Sequence, residues 1–166
     1  MRFLHQTPRF VVAYATAFLL TACAHAAGAP TGDTRTTDRQ VVNPPGISPL
    51  VPAYSVAIRA GNQVFVSGMT GIRPGTQDII DGGVAVQTRQ TLENIRTSLQ
   101  AAGATLADVG ECTVFLVDMA DYAAMNAVYI EFFRVDPPAR ATLAVTALPR
   151  PAARVEIKCS AQVRPR

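Results

Sequence analysis

Two stretches of helical periodicity, each lying between short runs of strand-like alternation, confine this chain to a fold in which two helices share one sheet. In the first stretch Thr88, Leu92, Ile95, Leu99 and Ala102 fall on one face, while Gln87, Arg89, Glu93 and Arg96 are directed elsewhere. Gly103 is placed to end it as a C-cap. Ahead of it, Tyr54 to Arg59 and Gln63 to Ser67 read as two strands joined through the turn Ala60-Gly61-Asn62, and residues 71–83 read as a glycine-rich loop. Thr113 to Val117 is a nearly continuous apolar run, as expected of a central strand, and Asp118 suits an N-cap. A second helix is expected over about 119–134, burying Tyr122, Met125, Tyr129, Phe132 and Phe133 and stopping before Asp136-Pro137-Pro138. Strands near 141–146 and 153–163 complete the order β-β-α-β-α-β-β. The expected fold class is α+β, a mixed sheet with both helices on one face. Leu143, Val145, Val155 and Ile157 are too apolar for a solvated surface, so subunits are expected to associate through the other face.

At 166 residues with 49% hydrophobic content, the chain supports one domain and an appendage. Arg2 and Arg9 precede the apolar run Phe10 to Leu20, which reads as an export signal too short for a stable membrane span. Leu20-Thr21-Ala22-Cys23 resembles a bacterial lipobox: residues 1–22 would be removed and Cys23 acylated as the first mature residue. A plain secretory cut after Ala24-His25-Ala26 is the alternative. The chain is therefore expected to be exported, either periplasmic or membrane-anchored through Cys23. Residues 23–46 read as a flexible, solvated tether and 47–166 as the folded domain. Without the leader, 13 basic residues face 12 acidic ones and the net charge is +1, which with the absence of Trp and of any basic run argues against a nucleic-acid partner. Cys112 and Cys159 each lie in an expected strand. They pair only if those strands are neighbours, and two buried free thiols are the expected state.

The histidines, His5 and His25, lie outside the folded part, so Ser/His/Asp catalysis and histidine-bearing metal sites are excluded from the core and no metal is expected. Proton transfer falls to carboxylate, Tyr, Cys or the lone Lys158. Pro137-Pro138-Ala139-Arg140 and Arg154-Val155-Glu156-Ile157-Lys158 set a fixed cation and a carboxylate on what read as neighbouring extended segments. Arg154 and Lys158 share the face of Glu156 and would hold it ionised. A Schiff-base role for Lys158 has little support, because nothing in the sequence argues for the desolvation that such a nucleophile needs.

Gln87-Thr88-Arg89-Gln90-Thr91-Leu92-Glu93-Asn94-Ile95, Ala101-Ala102-Gly103, Val114-Phe115-Leu116-Val117-Asp118-Met119, Asn126-Ala127-Val128-Tyr129 and Pro138-Ala139-Arg140 resemble the RidA (YjgF/YER057c/UK114) family, over residues 47–166. The resemblance implies a chorismate-mutase-like fold, a homotrimer with sites in the clefts between subunits, and no cofactor. The implied activity is hydrolysis of reactive enamines and imines of the 2-aminoacrylate type to 2-oxo acids and ammonia. Carried over by position, it implies Arg140 as the carboxylate-binding arginine and Glu156 as the water-activating acid. It also implies Tyr54, Ser67, Gly68 and Asn126 as substrate-binding residues, with main-chain groups near Ser67-Gly68 and Ala141 stabilising developing charge. The chain departs from the family at Ala53-Tyr54-Ser55-Val56, where many members read Pro-Tyr-Ser-Gln, at Met69, where Gln is common, and at Thr142, where some have a reactive Cys. The alternative to an imine deaminase is a non-catalytic trimeric module of the cell envelope that binds small carboxylates or acts as a scaffold or holdase.

Overall fold

A computed structural model describes residues 38–163. Cys23, the expected signal peptide and most of the expected tether lie outside the described residues. A hairpin starts the expected domain: β2 (Ala57–Ala60) pairs antiparallel with β3 (Gln63–Met69). Gly61 supplies the positive φ of 59° that its turn needs.

One strand was not expected. β1 (Arg39–Val42) lies within the supposed tether and pairs antiparallel with β2, so the order is β-β-β-α-β-α-β-β. Four residues with only Val42 buried give little periodic signal, and the pairing is supplied by the free edge of β2.

The helix α1 (Val84–Ala101) ends as expected, with Gly103 just beyond it at φ 78°. Leu92, Ile95 and Leu99 are fully buried and face Val64, Val114, Val155 and Ile157 of the sheet, each such side chain contributing about 1.5–3 kcal/mol. Gln87 is not directed away from this core as its position on the helix suggested. It is buried, because its amide satisfies backbone groups that no apolar side chain can: Nε2 donates to Ala152 O and Oε1 accepts from Arg154 N. Asn94 acts likewise, donating to the carbonyls of Thr70 and Ile72.

β4 (Val109–Leu116) is central, and Asp118 caps a short 3-10 turn, Met119–Asp121, that leads into α2 (Tyr122–Phe132). Met125, Tyr129 and Phe133 are buried, whereas Tyr122, expected in the core, is 40% exposed at the first residue of the helix.

β5 (Ala139–Ala144) and β6 (Val155–Gln162) complete a six-stranded sheet of order β1-β2-β3-β6-β4-β5, antiparallel except for β4 with β5. The sheet is thus mixed, with both helices on one side, and the α+β architecture is as expected. Because β6 inserts between β3 and β4, Cys112 and Cys159 stand opposite one another with Cα atoms 4.2 Å apart, and they form a disulfide rather than two free thiols. Val155 and Ile157 also turn inward and are fully buried, so they are not part of the uncovered face. That face instead carries Phe65 and Leu143, 45% and 46% exposed, beside Phe115 and Lys158.

Candidate functional site

The register of the sheet divides the six expected site residues into two groups. Glu156 pairs with Phe115 across β6 and β4 while its neighbours Val155 and Ile157 are buried, so its side chain lies on the face away from the helices. Arg140 pairs with Cys112, whose side chain is in the core, and so points toward α2. β4 lies between their strands, which are therefore not neighbours as the sequence suggested.

Tyr54, Ser67, Gly68 and Glu156 line one cleft of about 420 Å³. The pairing of β3 with β6 shifts between Val66 and Met69, and this irregularity brings Ser67-Gly68 beside Glu156. The carboxyl occupies the space that a side chain at residue 68 would take: a Cβ there would lie 2.0 Å from Glu156 Oε1. Burial pushes the Glu156 pKa above the ordinary carboxylate range. The expected influence of neighbouring cations is absent, since Arg154 is turned away and bonded to Asp121 through Nε and Nη2.

Ser67 has a different local role from the one the resemblance implies. Its hydroxyl donates to Ser55 O at 2.7 Å and its N–H to Val56 O at 3.0 Å, so both donors tie β3 to the segment that enters β2 and that N–H is not available to a ligand. Tyr54 is exposed at the cleft, and its hydroxyl accepts from Leu50 N at 2.8 Å, bracing a wall built from Leu50 and Val51.

Arg140 and Asn126 form the second group. The guanidinium donates to Asn126 Oδ1 at 2.9 Å and to the Tyr122 hydroxyl at 3.1 Å, and lies 4.5 Å from the centroid of the Tyr129 ring. These partners are neutral. Among the described residues Arg73, Arg89, Arg96 and Arg154 are paired with carboxylates, but Arg140 is not, so it is oriented without loss of its charge. Burial raises the Tyr129 pKa to about 12 despite the opposing charge of Arg140, so the phenol stays neutral. The buried oxygens of Tyr129 and Thr142 have no hydrogen-bond partner among the described residues.

Several contributors were not anticipated. Thr70, Pro149 and Arg150 line the Glu156 cleft, and Tyr122 and Tyr129 hold Arg140. Gln87 fixes Arg154 two residues before Glu156, and Asn94 fixes Thr70 on the cleft wall. Helical periodicity gave no signal for these last two, because it reads a polar residue beside the apolar stripe as outward. Among the described residues no group of His, Cys, Asp and Glu is placed to hold a metal ion.

A family model described as Endoribonuclease L-PSP matches residues 47–163, the part of the chain from just after β1 to the end of the sheet. A RutC family protein of Pyrococcus horikoshii is 50% identical over 97 residues, 58% of this chain and 77% of that protein. The 2-iminobutanoate/2-iminopropanoate deaminase of Mus musculus is 35% identical over 123 residues, 74% of this chain and 90% of that enzyme. The crystal structure of RidA from the Antarctic bacterium Psychrobacter superposes with a TM-score of 0.70 at 35% identity, covering 75% of this chain and 99% of that one. A sheet of this order backed by two helices, matched in sequence over nearly its whole length, establishes that the chain belongs to the RidA family, the group described by the Endoribonuclease L-PSP model.

Proposed function

We propose that this protein is an enamine/imine deaminase that hydrolyses 2-imino and 2-enamino acids of the 2-aminoacrylate type to 2-oxo acids and ammonia. The observation that carries the reading is the partly desolvated Glu156 carboxyl seated over Gly68 in an open cleft, a general base with a raised pKa at the place where a small electrophile can enter. The relatives named as 2-iminobutanoate/2-iminopropanoate deaminases support the substrate class.

In this reading Glu156 removes a proton from water as its oxygen bonds to C2 of the iminium, giving a carbinolamine. Glu156 returns the proton to nitrogen and then, again as a carboxylate, takes the hydroxyl proton as the C–N bond breaks, so that ammonia leaves and the 2-oxo group forms. The Arg140 fork binds the 1-carboxylate bidentately and presents C2 in the right orientation, supplying proximity rather than covalent catalysis. Since Arg140 and Glu156 lie on opposite faces of one sheet, the complete site requires Arg140 of one subunit to meet the Glu156 cleft of another, in the homotrimer implied by family membership. The exposed Phe65 and Leu143 suit such an interface, and the unpartnered Tyr129 and Thr142 oxygens suit a site closed by a neighbour or a ligand.

We also propose that the protein works in the cell envelope, exported by its N-terminal segment and held there by a lipid on Cys23. The Cys112–Cys159 bond supports an oxidising compartment.

The test supplies 2-aminoacrylate, generated enzymatically, to the full-length protein and measures pyruvate release above spontaneous hydrolysis. Acceleration that Glu156→Gln abolishes supports the deaminase. Binding of 2-oxo acids without turnover in either protein replaces it with the carboxylate-binding module.

A further inference from the structure

We infer, on the deaminase reading above, that Arg150 is a specificity-determining residue of the Glu156 cleft, pairing with a second carboxylate on the substrate and favouring 2-imino dicarboxylates over 2-imino monocarboxylates.

Arg150 follows Pro149 in the connection between β5 and β6, and its side chain lines the same cleft as the Glu156 carboxyl. One residue holds it: the guanidinium donates through Nη1 to the main-chain oxygen of Gln77 and through Nη2 to Gln77 Oε1. Gln77 is neutral, so the fork is positioned with its full charge and with N–H groups to spare. Arg73, Arg89, Arg96 and Arg154 each meet a carboxylate, and Arg59 is held by the carbonyls of Gly61 and Ala102 away from the cleft. Arg150 shares with Arg140 the pattern of a cation steadied by uncharged oxygens.

The surroundings select the ligand's chemistry. Leu50, Val51 and Pro149 make much of the remaining wall apolar, and a guanidinium beside such a wall attracts an anion more strongly than it does in open water. The 1-carboxylate of the substrate is assigned to Arg140, which lies outside this cleft. Arg150 is therefore left for a group farther along the substrate, in a cleft of about 420 Å³ that a three-carbon imino acid does not fill. An ionised Glu156 would repel a second carboxylate entering the same space, and Arg150 offsets that repulsion. A terminal amide or hydroxyl gains less from the charge than a carboxylate does, and a terminal ammonium is repelled by it.

The experiment compares imines generated by amino-acid oxidases from glutamate and from alanine, using the full-length protein, Arg150→Gln and Gln77→Ala. The wild type is expected to prefer the dicarboxylate in kcat/KM, and Arg150→Gln to reduce the dicarboxylate-to-monocarboxylate ratio about tenfold, mainly through KM. Gln77→Ala keeps the charge while removing its brace, and so retains more of the preference than Arg150→Gln. Calorimetry of 2-oxoglutarate against 2-oxobutanoate reads the same discrimination without turnover. Equal losses on both substrates in Arg150→Gln, no preference in the wild type, or full loss of preference in Gln77→Ala overturns the assignment. Arg150-dependent preference for 2-oxoglutarate in a protein with no turnover retains Arg150 and removes the deaminase reading instead.

Discussion

Replacing Gly68 by alanine separates catalysis from stability in this protein. The added Cβ would lie 2.0 Å from Glu156 Oε1, 2.8 Å from Cδ and 3.2 Å from Cγ, and no backbone atom is among these nearest contacts. Restoring an ordinary separation of about 3.5 Å moves the carboxyl oxygen by roughly 1.5 Å, which a flexible glutamate end accomplishes without disturbing the sheet. Gly68 does not hold a positive φ, so alanine meets no backbone strain, and its narrower unfolded ensemble stabilises the fold by about 0.4–1 kcal/mol. A displacement of that size at a general base lowers kcat about a hundredfold, close to 2.7 kcal/mol in the barrier. Deamination of oxidase-generated 2-iminopropanoate measures the rate, and urea unfolding at fixed protein concentration measures stability. Carboxyl titration by carbon-13 NMR locates Glu156, whose pKa should fall toward the ordinary range as the group moves into water. A folded Gly68→Ala protein with undiminished rate and an unshifted Glu156 titration refutes the proposed position of the base.

Glu156→Gln should abolish turnover yet be no less stable than the wild type at pH 7. Burial makes the folded state hold this proton more tightly than the unfolded chain, so the ionised carboxylate lowers stability as pH rises above the unfolded value of about 4.3, and the variant's advantage disappears below that pH. A variant less stable than the wild type at pH 7 would contradict the desolvation argument, as would a wild-type rate profile whose acidic limb lies within the ordinary carboxylate range. Arg140→Lys keeps the charge but loses the fork held by Asn126 and Tyr122, and kcat/KM should drop about ten- to a hundredfold, or about 1.4–2.7 kcal/mol. Unchanged kinetics would remove Arg140 from the site. The Cys112–Cys159 bond spans 47 residues, for which the chain-entropy estimate is about 4 kcal/mol, so replacing both cysteines by alanine should lower the urea midpoint strongly. Coincident unfolding curves would refute this stabilisation, and free thiols at both Cys112 and Cys159 of the unreduced folded protein would show that the bond does not form.

Much of the local structure was legible because short-range chemistry dictates it. Leu92, Ile95 and Leu99 recur at helical spacing, Asp118 has the side chain that caps the turn after β4, and Gly61 takes the positive φ of the β2–β3 connection. Gln87 was misread because helical periodicity treats a polar residue as outward, whereas here an amide is what the backbone of residues 152 and 154 requires. β1 was missed because a four-residue edge strand has almost no pattern of its own and is defined by the strand it joins.

The amino-acid sequence by itself determined the α+β class and the two helices, and it pointed to the cation and carboxylate of the proposed site, since each follows from spacing within one segment or from motifs in register. Tertiary structure alone decided that Cys112 meets Cys159, that Arg150 shares the cleft of Glu156, and that Arg140 and Glu156 lie on opposite sides of the sheet. Alternation along a strand tells which residues share a side, but which side faces the helices depends on strand order and register. Those are set by the position of β6, the last of the described strands, between β3 and β4, which joins segments far apart in the chain.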